Sequence, residues 1–298
     1  MSKPAAPRDG VTVVIPAHDA AAALDRVLPA WGAVLTNLGR PFEILVVNDG
    51  STDNTAAALD KLAGRVPHLG VLKHDARRGF GACLRTALAE AKHPLFLYAG
   101  VDYPYTPTDI KPMLERIDLR DELLGQQPDL ISGARAGQPR PFLVKYLSGA
   151  WKLFWRVFAG LPVMESPPWY GWGEWWYRAR VGWVFGVPLA DVNSAFKLYR
   201  TAFLKRFPIQ SDGDFVHTEL VAKATFLTSI MDEVPLTPKS EPLPPLGPVW
   251  TDGLKVFRTP EFAFYEPAVP PQPEPASSPS PESNAGGLAS PGSPVPAA

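Results

Sequence analysis

The sequence predicts an α/β fold in which helices cover both faces of a doubly wound, mainly parallel sheet. Runs of apolar and β-branched residues at positions 11–15, 42–47 and 69–72 have the length of buried strands. Segments rich in Ala and Leu, residues 19–38 and 79–92, have the length of helices. Strands that alternate with helices of about three turns form right-handed βαβ units, and the strands of such units are parallel.

The composition indicates a globular chain with a large core. Of its 298 residues 46% are hydrophobic, and 29 basic residues nearly balance 30 acidic ones, so no net field indicates nucleic acid as a partner. The single cysteine, Cys83, excludes an internal disulfide and indicates a reducing compartment. Residues 1–10 contain no apolar segment, so we expect a disordered N-terminus without a signal peptide.

A fourth strand is predicted where an apolar run at residues 94–98 ends in Gly100 and Asp102. A proline-broken turn follows, and a helical pattern then covers residues 109–117. Ligands of open parallel sheets bind outside the carboxyl ends of the strands, so Asp102 is placed to meet a ligand or a metal. The alternative is that Asp102 only caps the next turn.

The second strand ends in the polar segment 48–55, Asn-Asp-Gly-Ser-Thr-Asp-Asn-Thr. Gly50 permits a tight turn, and the Ser, Thr and Asp side chains after it are suited to cap a helix. Asp49 is left at the strand end, where a carboxylate can accept hydrogen bonds from a base or a ribose. A plain capping turn explains the same residues without any ligand.

Several segments together resemble the successive motifs of family 2 glycosyltransferases, which have the GT-A fold, a Rossmann-like α/β domain. The matching segments are Val-Val-Ile-Pro-Ala-His-Asp at 13–19, the stretch 43–55, and Arg-Gly-Phe-Gly-Ala at 78–82. Residues 129–135 and 193–200 resemble, within that family, the dolichyl- or polyprenyl-phosphate sugar synthases. The resemblance extends from about residue 11 to 235 and implies a GT-A domain over 11–235.

The resemblance implies an inverting transferase that moves a hexose from GDP-mannose or UDP-glucose to a polyprenyl or dolichyl phosphate. It also implies a role for each matching position. The nucleotide pocket would contain Pro16, Ala17, Asp19, Asp49 and Gly50. The Asp-x-Asp position, which binds the sugar diphosphate and a divalent cation, would be Gly100, Val101 and Asp102. The phosphate contacts would be Arg135, Lys197 and Arg200. Mg²⁺ or Mn²⁺ is the implied cofactor, with Asp102 as its protein ligand.

One departure from the family pattern leaves two other functions open. Gly100 stands where the first Asp of Asp-x-Asp is expected, which removes one protein ligand and favours, as one alternative, a pseudoenzyme that binds a nucleotide sugar. The other alternative is a hydroxyl acceptor, which needs a general base. The candidate bases are Asp191, Asp214 and Glu219. His217 is interpreted as a structural or surface residue and not as a catalyst.

An aromatic and amphipathic insertion is predicted over residues 141–186. On a helix over residues 142–161, Lys145, Lys152 and Arg156 form a narrow cationic stripe against a wide apolar face, which is typical of a helix in a membrane interface. A helix packed against the sheet is the alternative. Five tryptophans between 162 and 185, with Arg178 and Arg180, fit a lipid surface, but equally a surface that binds sugar or protein.

The carboxyl-terminal part of the sequence is not predicted to add to the core. Residues 236–266 keep a few large apolar side chains and are interpreted as an extended segment that packs on the domain or binds a partner. Residues 267–298 are rich in Pro, Ser and Ala and are predicted to be disordered. No apolar segment reaches the length of a membrane span, so we expect a cytoplasmic protein in peripheral contact with the inner face of a membrane.

Overall fold

Seven strands and the helices between them are seen in a computed structural model of the chain. It describes residues 8–101, 105–120, 125–135, 172–227, 229–236, 253 and 256–262. The strands are β1 Val11–Ala17, β2 Phe42–Asp49, β3 Leu69–His74, β4 Leu95–Tyr98, β5 Leu130–Arg135, β6 Lys197–Arg200 and β7 Met231–Leu236. The helices are α1 Ala21–Thr36, α2 Thr55–Ala63, α3 Phe80–Glu90, α4 Ile110–Asp118, α5 Trp172–Phe185, α6 Thr201–Leu204 and α7 Val216–Phe226.

The strands form one sheet in the order β3-β2-β1-β4-β6-β5-β7. β1 pairs in parallel with β2 and β4, β2 with β3, and β5 with β7, whereas β6 runs antiparallel to both of its neighbours. The predicted doubly wound, mainly parallel sheet is therefore confirmed. Because β6 alone is reversed, its amino end lies at the edge where the other six strands have their carboxyl ends, and we call this the carboxyl edge.

Apolar side chains alternate between two cores, one on each face of the sheet. Val13 and Ile15 of β1 face a core that α1, α2 and α4 cover, whereas Val14 between them faces a second core covered by α3, α5 and α7. Side chains of neighbouring strand residues point to opposite faces, so a strand with helices on both faces is apolar at nearly every position. This is why the apolar runs of β1, β2 and β4 predict buried strands.

β1 continues through Pro16 to Ala17, two residues beyond the predicted end at residue 15. Pro16 and Ala17 pair with Val47 and Asn48 of β2, but the pairing of β1 with β4 ends at Val14. A proline has no N–H to donate, and it is tolerated in a strand where one side has no neighbour. β1 therefore extends further toward the carboxyl edge than the sequence pattern indicates.

Some predicted features lie outside the described residues. These are the N-terminal residues 1–7, Asp102, the predicted amphipathic helix over 142–161, and the segment 267–298. Of residues 236–266 the structure describes 236, 253 and 256–262, and of the predicted insertion 141–186 it describes α5. Among the described helices none is both long enough and apolar enough to cross a membrane.

Candidate functional site

Residues predicted to bind the donor meet at the carboxyl edge because β1, β2 and β4 are neighbours and end there. Pro16 and Ala17 close β1, Asp49 closes β2, and Gly100 and Val101 follow the end of β4. The backbone N–H of Ala99 donates to the carbonyl of Val14 (3.0 Å). This hydrogen bond keeps the chain after β4 beside β1. Gly100 is partly exposed and Val101 is buried. Asp102 itself lies outside the described residues.

The Asp49 carboxylate is buried and already accepts three hydrogen bonds. Its Oδ1 accepts from the backbone N–H of Arg78 (2.8 Å) and lies 2.7 Å from Nδ1 of His74, and its Oδ2 accepts from the N–H of Gly79 (2.8 Å). Burial alone would raise the pKa of this carboxyl, but the three hydrogen bonds outweigh burial and hold the pKa below its usual value. Asp49 therefore fixes the turn after β3 to the end of β2, and its contact with a nucleotide stays a prediction.

His74 and Cys83 complete a buried cluster around Asp49. One potential ligand atom from each of the three residues lies within 4.8 Å of the others, and in the described part of the chain no other group of three such residues has this spacing. Because a carboxylate only accepts, Nδ1 of His74 donates to Asp49 and Nε2 pairs with the hydroxyl of Thr86 (2.9 Å). Burial, with a contribution from the Asp49 charge, raises the pKa of the Cys83 thiol to about 12. Because both ring nitrogens of His74 have partners, the cluster forms a hydrogen-bonded network in this structure.

The turns after β1 and β2 are joined by hydrogen bonds between backbone and side chains. The Asp19 carboxylate accepts from the N–H of Thr52 (2.7 Å) and of Asp53 (3.3 Å), and the N–H of Asp19 donates to the hydroxyl of Ser51 (3.0 Å). The hydrogen bond from Thr52 is the main reason that the pKa of Asp19 is lowered. Asp19 remains partly exposed at the surface of the site, with a side-chain exposure of 42%.

Gly50 and Gly79 allow two turns of the site to approach other backbone closely. Gly50 has φ +61°, and a Cβ there would lie 2.3 Å from the carbonyl carbon of Ala76. Gly79 has φ +98°, and a Cβ there would lie 2.4 Å from the carbonyl oxygen of Asp212. At both positions φ is positive, and a Cβ would lie too close to backbone atoms of another turn, so only glycine fits. Gly50 thus shapes the end of β2 whether or not it touches a ligand.

The structure separates the three predicted phosphate contacts. Arg135 ends β5 at the carboxyl edge, and nothing is described of its side chain. Lys197 begins β6 at the same edge, but it is fully buried, and its Nζ donates to the carbonyl oxygens of Val192 (2.9 Å) and Ser194. A buried ammonium that donates to carbonyls has a structural role in this conformation.

The structure does not bring Arg200 to the site. It pairs with Leu95, the first residue of β4, and therefore lies at the edge of the sheet opposite to the carboxyl edge. Its guanidinium donates to the carbonyls of Pro128 (3.0 Å) and Ile117 (3.0 Å) and pairs with Asp9 (3.3 Å). The physical reason is strand geometry, because three residues of extended chain span about 10 Å.

The candidate bases have different surroundings. Glu219 is fully buried, forms an ion pair with the fully buried Lys223 (2.7 Å), and accepts from the N–H groups of Gln210 (2.7 Å) and Ser211 (2.8 Å). These contacts leave Glu219 with a structural role, so it is not a base in this arrangement. Asp191 is buried just before β6, whereas Asp214 is exposed.

His217 lies in the interior, as its interpretation as a structural residue requires. Its ring stacks on Tyr98 (centroids 5.5 Å apart), and its Nδ1 lies 3.2 Å from the Tyr98 hydroxyl. Phe80 contacts the same ring edge-on (4.9 Å). His217 thus packs beneath β4 and is not a surface residue.

One residue of the site is missing from the sequence prediction. Glu233 of β7 accepts hydrogen bonds from the N–H groups of Ala190 (2.8 Å) and Asp191 (2.9 Å), which precede β6 at the carboxyl edge. Burial raises the pKa of Glu233, although these hydrogen bonds and Lys197 act in the opposite direction. The only signal in the sequence is an acidic residue between the apolar residues of a short strand, and that pattern does not indicate which residues Glu233 contacts.

Comparison with known proteins relates the chain to sugar transferases. The family model "Glycosyl transferase family 2" matches residues 12–160, which is half of the chain. The undecaprenyl-phosphate 4-deoxy-4-formamido-L-arabinose transferase of Pseudomonas aeruginosa is 32% identical over 224 residues, covering 71% of this chain and 56% of the relative. The dodecaprenyl-phosphate galacturonate synthase of Rhizobium johnstonii is 22% identical over 204 residues, covering 68% of this chain and 51% of the relative. The chain thus spans about half the length of these relatives.

Solved structures support the fold. The glucosyl-3-phosphoglycerate synthase of Mycobacterium tuberculosis, in a complex described with Mn²⁺, UDP and glucosyl-3-phosphoglycerate, superposes with a TM-score of 0.54. The match covers 84% of this chain and 77% of that protein, at 17% sequence identity. At this identity the similarity shows the GT-A fold alone.

Proposed function

This chain belongs to glycosyl transferase family 2, and from that premise we propose that it transfers a sugar from a nucleotide diphosphate sugar to a polyprenyl phosphate. The observation that carries the proposal is the 32% identity to an undecaprenyl-phosphate sugar transferase over 71% of the chain. A second relative is named for a dodecaprenyl-phosphate product. The two relatives are named for different sugars and share a polyprenyl phosphate, which supports the acceptor class more than any one donor sugar.

The donor nucleotide is proposed to bind over β1 and β2. The ends of these strands lie side by side, and their turns are held rigid by hydrogen bonds of Asp19 and Asp49. A site fixed in this way loses little conformational entropy when a ligand binds. Pro16, Ala17, Gly50 and the exposed side of Asp19 are the proposed lining, with GDP-mannose and UDP-glucose as the donors to test first.

The divalent cation of the family is proposed to bind through Asp102, with Gly100 and Val101 as its neighbours. Oxygen ligands suit Mg²⁺ and Mn²⁺, and Mg²⁺ is often held by one carboxylate together with substrate phosphates and water. The cluster of Asp49, His74 and Cys83 suits this cation less well, because its groups are buried, Asp49 and His74 are already hydrogen-bonded to each other, and hard cations prefer oxygen to sulfur ligands. When bound, the cation stabilises the negative charge that develops on the departing nucleoside diphosphate.

The proposed reaction needs no base from the protein. A phosphate monoester has a second pKa near ~6, so a polyprenyl phosphate is already an oxyanion at neutral pH. One of its oxygens forms the bond to the anomeric carbon as the bond from that carbon to the nucleotide's β-phosphate oxygen breaks, with inversion. The structural role of Glu219, which is paired with Lys223, is consistent with this class of acceptor.

Contact with a membrane is proposed through the outer face of α5. Trp176 is 57% exposed and Trp183 is 88% exposed, and Arg180 is exposed on the same side of the helix. The opposite side is buried, where the Tyr177 hydroxyl lies 2.5 Å from that of Thr218 in α7. Indole and guanidinium groups together are typical of helices at the boundary between lipid and water.

The first experiment measures transfer of labelled sugar to a short polyprenyl phosphate. The donors are GDP-mannose, UDP-glucose and the nucleotide diphosphate forms of the sugars for which the two relatives are named, each with Mg²⁺, Mn²⁺ or chelator. We expect a product with at least one donor, and its loss with chelator and in Asp102→Ala. Asp60→Ala, an exposed carboxylate on α2, is the matched control and should keep wild-type activity. Binding of nucleotide sugar without transfer from any donor would contradict the proposal and favour a pseudoenzyme.

A vesicle assay tests the membrane contact. The variant Trp176→Ser/Trp183→Ser should bind less to vesicles that contain anionic lipid and polyprenyl phosphate than the wild type does. Leu119→Ser removes an apolar side chain of similar exposure outside α5, 54%, and should bind like the wild type. Equal binding by all three proteins would contradict a role of α5 at the membrane.

A further inference from the structure

The loop of residues 190–194, which leads into β6, is buried at the carboxyl edge. Asp191 is 1% exposed, Asn193 9% and Ser194 0%. The loop ends at Lys197, which pairs with Tyr98, the last residue of β4. β4 in turn leads to Gly100 and Val101, so the loop borders the proposed diphosphate site on the side away from β1.

Two side chains of opposite charge hold the backbone of this loop. The Glu233 carboxylate accepts from the N–H groups of Ala190 (2.8 Å) and Asp191 (2.9 Å). The Lys197 ammonium donates to the carbonyls of Val192 (2.9 Å) and Ser194. Hydrogen bonds to charged groups are stronger than those between neutral groups, so four backbone groups of the loop have strong partners.

The sheet explains why Glu233 and Lys197 act on the same loop. Lys197 of β6 pairs with Ser132 of β5, and Ser132 pairs with Glu233 of β7. Residues paired across neighbouring strands point to the same face, so both charged side chains leave the sheet on one side. The two strands are separated only by β5, about 10 Å in all. The hydroxyl of Ser194 adds a third attachment by donating to the carbonyl of Gly133 (2.5 Å).

The order of strands assigns this loop to the acceptor. The residues proposed to hold the nucleotide lie on β1 and β2, on one side of β4, whereas β6, β5 and β7 lie on the other. A donor whose nucleotide lies over β1 and β2 and whose diphosphate lies at the end of β4 therefore has its sugar on the side of β6. The acceptor phosphate must approach the anomeric carbon opposite the departing diphosphate. Residues 190–194 border that side, next to β4, and the ends of β5 and β7 lie beyond them.

We propose that Glu233 is a positioning residue that, together with Lys197, holds residues 190–194 in the conformation that receives the acceptor phosphate. The inference rests on the proposed function for the identity of the acceptor. It assigns a role to a residue outside the segment 12–160 that the family model matches. Glu233 does not touch the substrate in this account, because its carboxylate oxygens are engaged by the loop backbone.

The test compares Glu233→Gln and Glu233→Ala with the wild type by amide hydrogen exchange and by binding of a short polyprenyl phosphate. In the glutamine variant one acceptor oxygen becomes an NH₂ group that faces an N–H donor. We expect exchange at residues 190–191 to accelerate about tenfold or more, and affinity for the polyprenyl phosphate to fall by a similar factor. Binding of nucleotide to the donor side should change by less than about twofold. The alanine variant should show a larger effect on the loop than the glutamine variant.

Two control variants isolate the loop contacts from general damage to the sheet. Ser132→Ala removes a buried hydroxyl between Lys197 and Glu233 that has no hydrogen-bond partner in the structure. Asp232→Asn changes the neighbouring carboxylate, which pairs with Arg116 of α4. Both should keep wild-type exchange at residues 190–191 and wild-type affinity for polyprenyl phosphate.

The possible outcomes separate this inference from the proposed function. Failure of the wild type to bind polyprenyl phosphate overturns the proposed function and the acceptor role of the loop. If Glu233→Gln and Glu233→Ala bind polyprenyl phosphate as tightly as the wild type does, the positioning role alone is overturned. Faster exchange that spreads evenly over β5, β6 and β7 assigns Glu233 to the stability of the sheet and also overturns it. Loss confined to residues 190–194 and to acceptor affinity supports it.

Discussion

The carboxyl edge is held together by different side chains in the two halves of the sheet. In the half formed by β3, β2, β1 and β4, turns follow parallel strands and are held by short polar side chains such as Asp19 and Asp49. In the half formed by β6, β5 and β7, the loop before a reversed strand is held by Lys197 and Glu233. The first half is held by short acidic side chains at the ends of strands, whereas the second is held by two long charged side chains, the buried Lys197 and the partly buried Glu233.

The largest predicted effect lies beside the second half, in the ion pair of Glu219 and Lys223. Both side chains are fully buried, and removing the cation leaves a buried carboxylate without its partner. We expect Lys223→Met to lower the free energy of unfolding by about 3–5 kcal/mol, measured by urea denaturation. Lys205→Met, at an exposed lysine, should change it by less than about 0.5 kcal/mol. Equal effects of the two substitutions would show that the buried pair has no special importance.

A smaller loss is expected from Asp49 in the first half. Asp49→Asn replaces one acceptor oxygen by a donor that faces the N–H groups of Arg78 or Gly79. The expected loss is about 2–3 kcal/mol of unfolding free energy, because a buried donor loses its partner. Asp60→Asn, at an exposed carboxylate, is the control. A loss as small as that of the control would show that water replaces the missing contact.

The pH dependence of stability tests the same carboxylate. The pKa of Asp49 in the folded protein lies below the unfolded value of 3.8, so its contribution to stability is complete above that value and is lost as the pH falls through the folded pKa. The difference in unfolding free energy between the wild type and Asp49→Asn should therefore shrink as the pH falls below about 4. Denaturation at a series of pH values measures this. A difference that grows toward acid would contradict the lowered pKa.

The smallest effect is expected from Arg200, at the opposite edge. Arg200→Lys keeps the charge but loses several of the hydrogen bonds to Pro128, Ile117 and Gln127. We expect a loss of about 1 kcal/mol in unfolding free energy, and KM values for donor and acceptor within about twofold of the wild type. Steady-state kinetics checks the second point. A large rise in either KM would indicate that Arg200 contributes to substrate binding, which would contradict its placement at the opposite edge of the sheet.

The difference between the halves also explains what the sequence predicts well. β1, β2 and β4 are buried on both faces, so their apolar runs identify them, and each ends in a polar turn that identifies the carboxyl edge. β6 has only four residues, and two of them are charged. Its place in the sheet depends on pairing with β4 and β5, which local patterns do not encode.

The predicted phosphate contacts show the same limit at the level of single residues. Lys197 and Arg200 are close in sequence, and their charge alone suits a phosphate. In an extended strand they reach opposite edges, and the burial of Lys197 commits its ammonium to the carbonyls of Val192 and Ser194. Glu233 was absent from the prediction for the complementary reason, since its partners lie about 40 residues earlier in the chain.

The reversed direction of β6 bears on how such a chain can diversify. The segment proposed to border the acceptor precedes a strand, whereas the segments proposed to border the nucleotide follow β1, β2 and β4. Glu233, Lys197 and Gly133, which hold residues 190–194, belong to β7, β6 and β5, whereas the turns on the proposed nucleotide side are held by Asp19 and Asp49. Under the proposed function, changes in this one loop would alter acceptor recognition, while the turns proposed to recognise the donor would stay under separate selection.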